Sequence, residues 1–93
     1  MSGDSLEDRE RRLEADNQAL SAWKASGEAN GRPMTVRKKE LSLLTETRDL
    51  VVEGGGRHIT SEAQRDYIIA KLDSEIAATQ EAIEINRSRG LVD

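Results

Sequence analysis

Residues 61–89 read SEAQRDYIIAKLDSEIAATQEAIEINRSR, a stretch of helical periodicity with neither glycine nor proline. Its apolar and small positions recur in steps of three, four, three, four and three residues. That is the spacing of a seam that packs one helix against another. The seam comprises Ile69, Leu72, Ile76, Thr79, Ile83 and Asn86. The spacing predicts a long helix that lies along another helix or another chain.

Both ends of this helix carry boundary signals. Ser61 followed by Gln64 fits a capping box, and Thr60 is an equally good N-cap. Gly90 is the natural terminator, because glycine readily adopts the left-handed backbone that ends many helices. These signals predict a helix over residues 61–89.

A second apolar face lies upstream, in residues 36–53. Two neighbouring rows make up this face: Val36, Leu43 and Leu50, and Leu41, Leu44 and Val51. Three glycines at 54–56 stop the helix and permit a sharp reversal, so residues 54–60 form a turn. The result is an antiparallel hairpin of helices 36–53 and 61–89. We expect the seam of packing or self-association to comprise Leu43, Leu50, Ile69, Leu72, Ile76 and Ile83.

The N-terminal third predicts a weaker helix over residues 5–26, for which Ser5 provides a start signal. Its apolar residues are sparse, so it either folds across the hairpin or pairs with a partner. Residues 27–35 contain two glycines, an asparagine and a proline and form a linker, in which Thr35 can cap the next helix. The predicted fold class is all-α, a three-helix bundle or a dimeric four-helix-type bundle, in one domain of residues 1–93.

Composition favours a protein that associates. Leu, Ile, Val and Phe total 19 of 93 residues, close to the level at which chains fail to fold alone. The net charge of −4 disfavours general nucleic-acid binding, which needs surplus Lys and Arg. Zero cysteines exclude disulfides and thiolate zinc sites and fit a reducing cytosol. Neither a signal-peptide pattern nor a membrane-length apolar stretch is present, which predicts a cytoplasmic protein with no membrane partner.

Charges on the second helix run against its dipole, with basic residues in its first turn and acidic residues toward its end. Antiparallel packing would give the hairpin an acidic tip, relieved only by Arg57 and His58, and a basic open end. These clusters are either a solvated surface or contacts for a partner. A partner would be a second hairpin in antiparallel register, or a protein whose basic groove accepts the tip. The tip candidates are Glu53, Arg57, His58, Glu62 and Asp66, and the basic end comprises Arg37, Lys38, Lys39, Arg87 and Arg89.

Little in the sequence indicates catalysis. His58 is the single histidine and lies in the glycine-rich loop, so an exposed loop residue is favoured over a metal ligand. The glycine run lacks the G-x-x-x-x-G-K-[ST] pattern of a phosphate loop. Trp23 is either a packing residue or a contact hot spot for a partner, and Tyr67 is expected at the edge of the core. No catalytic residue, metal site or cofactor is predicted.

From Met34 onward the chain resembles the N-terminal hairpin of bacterial transcript-cleavage factors, which enters the secondary channel of RNA polymerase. The resemblance rests on Met34-Thr35-Val36-Arg37 before the first arm, the reversal near Gly56, and Leu91-Val92-Asp93 after the second arm. It implies a hairpin that modulates RNA polymerase. The acidic metal-chelating cluster at that family's tip is replaced here by Gly56-Arg57-His58-Ile59-Thr60, so cleavage activity is not implied.

The sequence therefore predicts a small intracellular, non-enzymatic helical protein that forms a homodimer and binds an unidentified protein partner. A regulator, adaptor or inhibitor fits this description, as does a phage- or mobile-element-encoded modulator of a host protein. The alternatives are a structural assembly subunit and a hairpin modulator of RNA polymerase.

Overall fold

The chain folds into three helices joined by two short connections. The computed structural model describes residues 5–91 and 93, and its helices are α1 (Leu6–Ala25), α2 (Pro33–Val52) and α3 (Glu62–Ser88). α2 and α3 form an antiparallel hairpin, and α1 packs against α2. The described residues contain no strand, so the predicted all-α fold is confirmed. Within that part of the chain, no helix has both the length and the apolar character needed to cross a membrane.

Serine side chains begin two of the helices. Ser5 Oγ accepts a hydrogen bond from the backbone N–H of Asp8 (3.1 Å), and Ser61 Oγ accepts one from Gln64 (3.1 Å). Gln64 Oε1 in turn accepts from the backbone N–H of Thr60 (2.8 Å), so Ser61 is the cap and Thr60 precedes it. These bonds satisfy N–H groups that no helical carbonyl can reach, and they start α1 and α3 within one residue of prediction.

α2 begins at Pro33, earlier than its predicted start at residue 36. Proline suits the first position of a helix, because its missing N–H is not needed there and its fixed φ is already helical. Thr35 is therefore not the cap that the sequence suggested, and Arg32 in the cap position makes no side-chain capping bond. The earlier start brings Met34 into the core, where it is buried.

A thin core lies between α2 and its two neighbours. All three helices contribute buried apolar side chains, which are Leu13, Met34, Leu50, Val51, Leu72 and Ile83. Leu43, Ile69 and Ile76 from the predicted seam are half-buried. No side chain in the described residues is completely shielded from solvent. The core is therefore too small to tolerate much loss of apolar contact.

Tyr67 was expected at the edge of the core and is instead 69% exposed, so that prediction is wrong. The physical reason is its position relative to Ile69, which lies on the seam. Two residues along a helix turn the side chain by about 200°, which directs Tyr67 away from α2.

Each of the three glycines after α2 lies where any larger residue would be unfavourable, and the reason differs between them. Gly54 and Gly56 have φ of 108° and 101°, in the left-handed region that other residues avoid. A Cβ on Gly55 would lie 2.6 Å from Cγ and Cδ1 of Leu50. The backbone N–H groups of Gly54 and Gly55 donate to the carbonyls of Val51 (3.1 Å) and Leu50 (2.8 Å). This pair of bonds closes the last turn of α2 and starts the reversal.

α3 ends at the glycine that the sequence suggested. Gly90 has φ of 76°, and its N–H donates to the carbonyl of Arg87 (3.0 Å). The N–H of Leu91 donates to the carbonyl of Asn86 (2.9 Å). The left-handed glycine thus satisfies carbonyls that the end of the helix would otherwise leave unpaired.

Candidate interaction site

α1 adds charged side chains to the glycine-turn end of the molecule, which the sequence did not predict. Arg9 of α1 donates two hydrogen bonds to the carboxylate of Glu53, from Nη1 to Oε1 (2.7 Å) and from Nη2 to Oε2 (3.0 Å). This forked, charge-assisted pair lowers the pKa of Glu53. The prediction that only Arg57 and His58 relieve the tip is wrong, because α1 brings a third basic residue to it.

Arg57 turns toward α1 and holds that helix against the glycine turn. Its guanidinium donates to Glu14, and its Nε lies 3.6 Å from the carboxylate of Glu10. Glu10 also accepts the backbone N–H groups of Gly56 and Arg57 (both 3.2 Å). The sequence carries only a faint signal of this cluster, namely two glutamates one helical turn apart, because more than 40 residues separate them from Arg57.

Arg65 of α3 connects α3 to the end of α2 and to the glycine turn. Its Nη1 donates to the backbone carbonyls of Val51 (2.7 Å) and Gly55 (2.8 Å), and its Nε lies 3.7 Å from the carboxylate of Glu62. His58 and Asp66 are exposed, so the structure does not bring the tip candidates together into one cluster. In residues 5–91 and 93, no three His, Cys, Asp or Glu side chains are grouped so that they could hold a metal ion.

The predicted basic end is partly compensated by nearby acids. Glu40 accepts from Lys24 Nζ (3.1 Å) and from Arg37 Nη1 (3.0 Å), and Arg87 is paired with a glutamate of its own helix. The members of this end that make no ion pair with a described residue are Lys38, Lys39 and Arg89. Part of the positive charge at this end is therefore paired within the chain.

Asp93 supplies the anion that the first turn of α2 lacks. Its carboxylate accepts hydrogen bonds from the hydroxyl and from the backbone N–H (2.8 Å) of Thr35. These two bonds lower the pKa of Asp93. A negative charge at the N-terminus of a helix also offsets the basic side chains of the first turn. Sequence reasoning missed this contact, because nothing local links two residues that lie 58 positions apart.

Acidification should destabilise the protein through Glu53 and Asp93. A carboxyl group whose pKa is lower in the folded state adds stability above its unfolded pKa, and this is lost as pH falls through the folded pKa. Since unfolded carboxyl groups titrate at about pH 4, we expect the melting temperature to fall as the pH drops below that value. Glu53→Gln removes one contributor, so it should melt lower at pH 7 and lose less on acidification.

Circular-dichroism melts between pH 7 and strongly acidic buffer measure this pH dependence. Glu81→Gln is the matched control, since Glu81 is exposed on α3 and has no ion pair in the described residues. It should follow the wild-type curve. Equal pH slopes for Glu53→Gln and wild type would show that the Arg9–Glu53 pair does not contribute to stability.

An open groove of about 700 Å³ lies between α1 and α2. Leu20, Trp23 and Leu43 line it, and all three are half-buried. Lys39 Nζ lies 5.6 Å from the centroid of the Trp23 ring, which is a cation–π distance. Trp23 therefore packs between the helices and also presents part of its ring to the groove. Its packing agrees with one of the two sequence interpretations, and its role as a contact hot spot for a partner stays a prediction.

The charged lining of the groove is divided between its two ends. Asp16 of α1 and Glu46 of α2 lie at one end, and Arg32 and Lys39 lie toward the other. This division follows from the antiparallel course of the two helices, which brings the middle of α1 beside the second half of α2. Sequence reasoning did not single out Asp16 or Glu46, because their proximity depends on how α1 docks.

Comparison with known proteins found no matching family model, no similar curated protein and no similar solved structure. The outline resemblance to transcript-cleavage factors has no support beyond the residues that suggested it. The candidate site therefore depends on the geometry of this chain alone.

Proposed function

We propose that this protein acts by binding polypeptides, including copies of itself, through the α1–α2 groove, and that it serves as a regulator, adaptor or inhibitor without catalysing a reaction. The observation that carries the proposal is the half-buried Trp23 at the wall of an open groove, with the ammonium group of Lys39 over its ring. Tryptophan is among the residues most enriched at binding hot spots, because a large ring loses little conformational entropy when it is covered.

The small core supports the same proposal. α1 contributes one buried side chain, Leu13, and Leu20 and Leu43 remain half-exposed beside the groove. Covering those leucines would remove more apolar surface from water, which favours association. Binding would also hold α1 in place, since much of its attachment to the hairpin is by ion pairs at the surface. A cytoplasmic location is part of the proposal and is supported by the absence of cysteine.

The groove is a better supported contact surface than the tip of the hairpin. A tip that enters a basic channel needs unpaired carboxylates, whereas Glu53 is paired with Arg9, and Glu62 lies near Arg65. The alternative of an RNA polymerase modulator is therefore not the one we propose. A structural assembly subunit would use the same groove, with further copies as its partners.

Replacing Trp23 by alanine should weaken binding of any partner of the groove by about 2 kcal/mol, roughly 30-fold in Kd. The physical reason is the loss of the largest ring that a partner would cover. Tagged wild type and variants would be used to capture proteins from a lysate of the source cells, with an untagged copy of the chain added. Quantitative mass spectrometry would compare the captured proteins.

Tyr67→Ala is the control, because it removes an aromatic side chain from the exposed face of α3, away from the groove. Ala19→Arg is a second test that keeps the tryptophan and fills the groove instead, since Ala19 is exposed and lines it. Partners lost with both groove variants and kept with Tyr67→Ala would support the proposal. Equal capture by all four proteins would remove the groove from the binding surface.

A further inference from the structure

The outer face of α2 carries opposite charges at matched distances from its centre. Lys39 and Glu46 both line the groove and are seven residues apart, so they point the same way about 10 Å from each other along the helix. Ser42 lies between them and also lines the groove. Neither Glu46 nor Lys39 makes an ion pair with a described residue, and the ammonium group of Lys39 lies over the Trp23 ring. This face therefore has one cationic and one anionic position without a partner of opposite charge.

The α1 side of the groove repeats this pattern in part. Asp16 lies at the same end as Glu46, and it too has no ion pair in the part of the chain that the structure describes. Arg32, in the connection before α2, lies toward the end that carries Lys39. The centre of the groove is lined by small side chains, Ala19 on α1 and Ser42 on α2, which allow another backbone to approach closely. The lining of the groove is thus acidic at one end, basic at the other and small in the middle, and Arg9 and Arg12 lie next to its acidic end in the adjoining cavity.

The symmetry of a dimer determines which charges of this face would meet in the interface. Two copies that meet face to face around a twofold axis have two choices for that axis. An axis along the groove places the acidic end of one copy over the acidic end of the other, where like charges repel. An axis across the groove reverses the second copy, so that each acidic end meets a basic end. The charge pattern therefore favours the second arrangement and disfavours the first.

We propose that the occupant of the groove is a second copy of this chain, docked face to face in antiparallel register, with Lys39 of each copy opposite Glu46 of the other. This inference rests on the proposed function and names its partner. The two α2 helices cross between residues 42 and 43, and the two α1 helices face each other beside them, which gives a four-helix arrangement of two layers. The twofold axis forms the Lys39–Glu46 contact twice, and the interface covers Leu20, Trp23 and Leu43 in both copies.

This arrangement differs from an end-to-end pairing of hairpin tips with basic ends. The glutamate at the tip and Arg37 at the open end already have partners within their own chain. The unpaired charges that remain on the α1–α2 face are the ones that the antiparallel dimer would pair. The interface is therefore on the side walls of α1 and α2, not at the ends of the hairpin.

Charge reversal tests the register directly. Lys39→Glu and Glu46→Lys should each weaken the dimer at least about 10-fold, because each brings two like-charge contacts into the interface. An equimolar mixture of the two variants should restore association, since each contact then joins a glutamate to a lysine across the two chains. The single chain that carries both changes should also dimerise. Sedimentation velocity over a concentration series measures all four cases.

The mixture is the most informative sample, because a change within a single chain cannot explain restored association between two different variants. Lys71→Glu is the control: it makes the same charge change at an exposed position of α3 and should leave the dimer intact. Trp23 is the only tryptophan, so its emission should shift to the blue as concentration rises in wild type and in the mixture, and not in either variant alone. Far-ultraviolet circular dichroism would establish that each variant keeps its helices.

The outcomes separate this inference from the proposed function. Restoration in the mixture supports the antiparallel register. If neither single reversal weakens the dimer, or if the mixture does not restore it, the antiparallel register is overturned. Self-association would still be supported by the dimer of the wild type. A wild type that stays monomeric at millimolar concentration overturns the inference, whereas capture of another protein that depends on Trp23 would still support the proposed function. A monomer without such capture overturns both.

Discussion

Leu50→Ala is expected to lower the free energy of unfolding by about 3 kcal/mol, the typical cost of removing a buried leucine side chain and leaving a cavity. Leu50 is 3% exposed, the least of the buried apolar side chains in the described residues. It lies on α2, the helix that contacts both others, near the glycine turn. Small domains have a total stability of about 5 to 15 kcal/mol, and a core this thin places the protein toward the lower end.

Urea unfolding followed by circular dichroism measures that loss. The matched control is Val52→Ala, on the same helix, where the side chain is 52% exposed. It should change the free energy of unfolding by no more than about 0.5 kcal/mol. A Leu50→Ala protein as stable as Val52→Ala would show that α2 does not pack as described and would remove the basis for the hairpin core.

Gly55→Ala should destabilise the protein by about 2 kcal/mol, although alanine usually favours ordered structure. The new Cβ would lie 2.6 Å from Cγ and Cδ1 of Leu50 and 3.0 Å from its carbonyl oxygen. Real Cβ atoms do not approach other atoms so closely, and Leu50 has little room to move because it is buried. The end of α2 or the glycine turn would have to shift. This shift would also disturb the hydrogen bonds that the backbone N–H groups of Gly56 and Arg57 donate to Glu10.

Gly31→Ala separates this steric effect from backbone strain. Gly31 has φ of 83°, and nothing lies within 4 Å of a Cβ built there. Its substitution should cost about 1 kcal/mol, which is the penalty for a left-handed alanine without a clash. If Gly55→Ala cost no more than Gly31→Ala in the same urea titrations, the close approach of Leu50 to the turn would be contradicted.

The sequence predicts the helices well, because their boundaries depend on neighbouring residues. Ser5 and Ser61 cap helices by accepting hydrogen bonds from backbone N–H groups three residues further on. Gly90 ends a helix because its own backbone adopts a left-handed conformation. The seam through Leu72 and Ile83 predicts which side of α3 is buried, since side chains three and four apart share a face. The late start assigned to α2 came from taking Thr35 as a cap, when Pro33 already supplied a helical φ.

The sequence predicts the candidate site less well. Trp23 was singled out, and its half-buried position at the groove agrees with the packing interpretation, whereas its role as a contact hot spot stays a prediction. The pairing of Glu53 at the tip was not predicted, because the charge of the tip was counted on the hairpin alone while α1 was treated as loosely attached. Glu53 meets Arg9 from 44 residues away, and no periodicity links two residues so distant.

The sequence by itself determined three helices, the reversal at the triple glycine and the apolar seam of the hairpin. Each of these follows from the backbone preferences and side-chain spacing of residues a few positions apart. Only the tertiary structure decided which charges are paired and which remain on the open face of α1 and α2. Those pairings depend on the side of α2 against which α1 docks, and the docking follows from the packing of Leu13 and from surface ion pairs between distant residues.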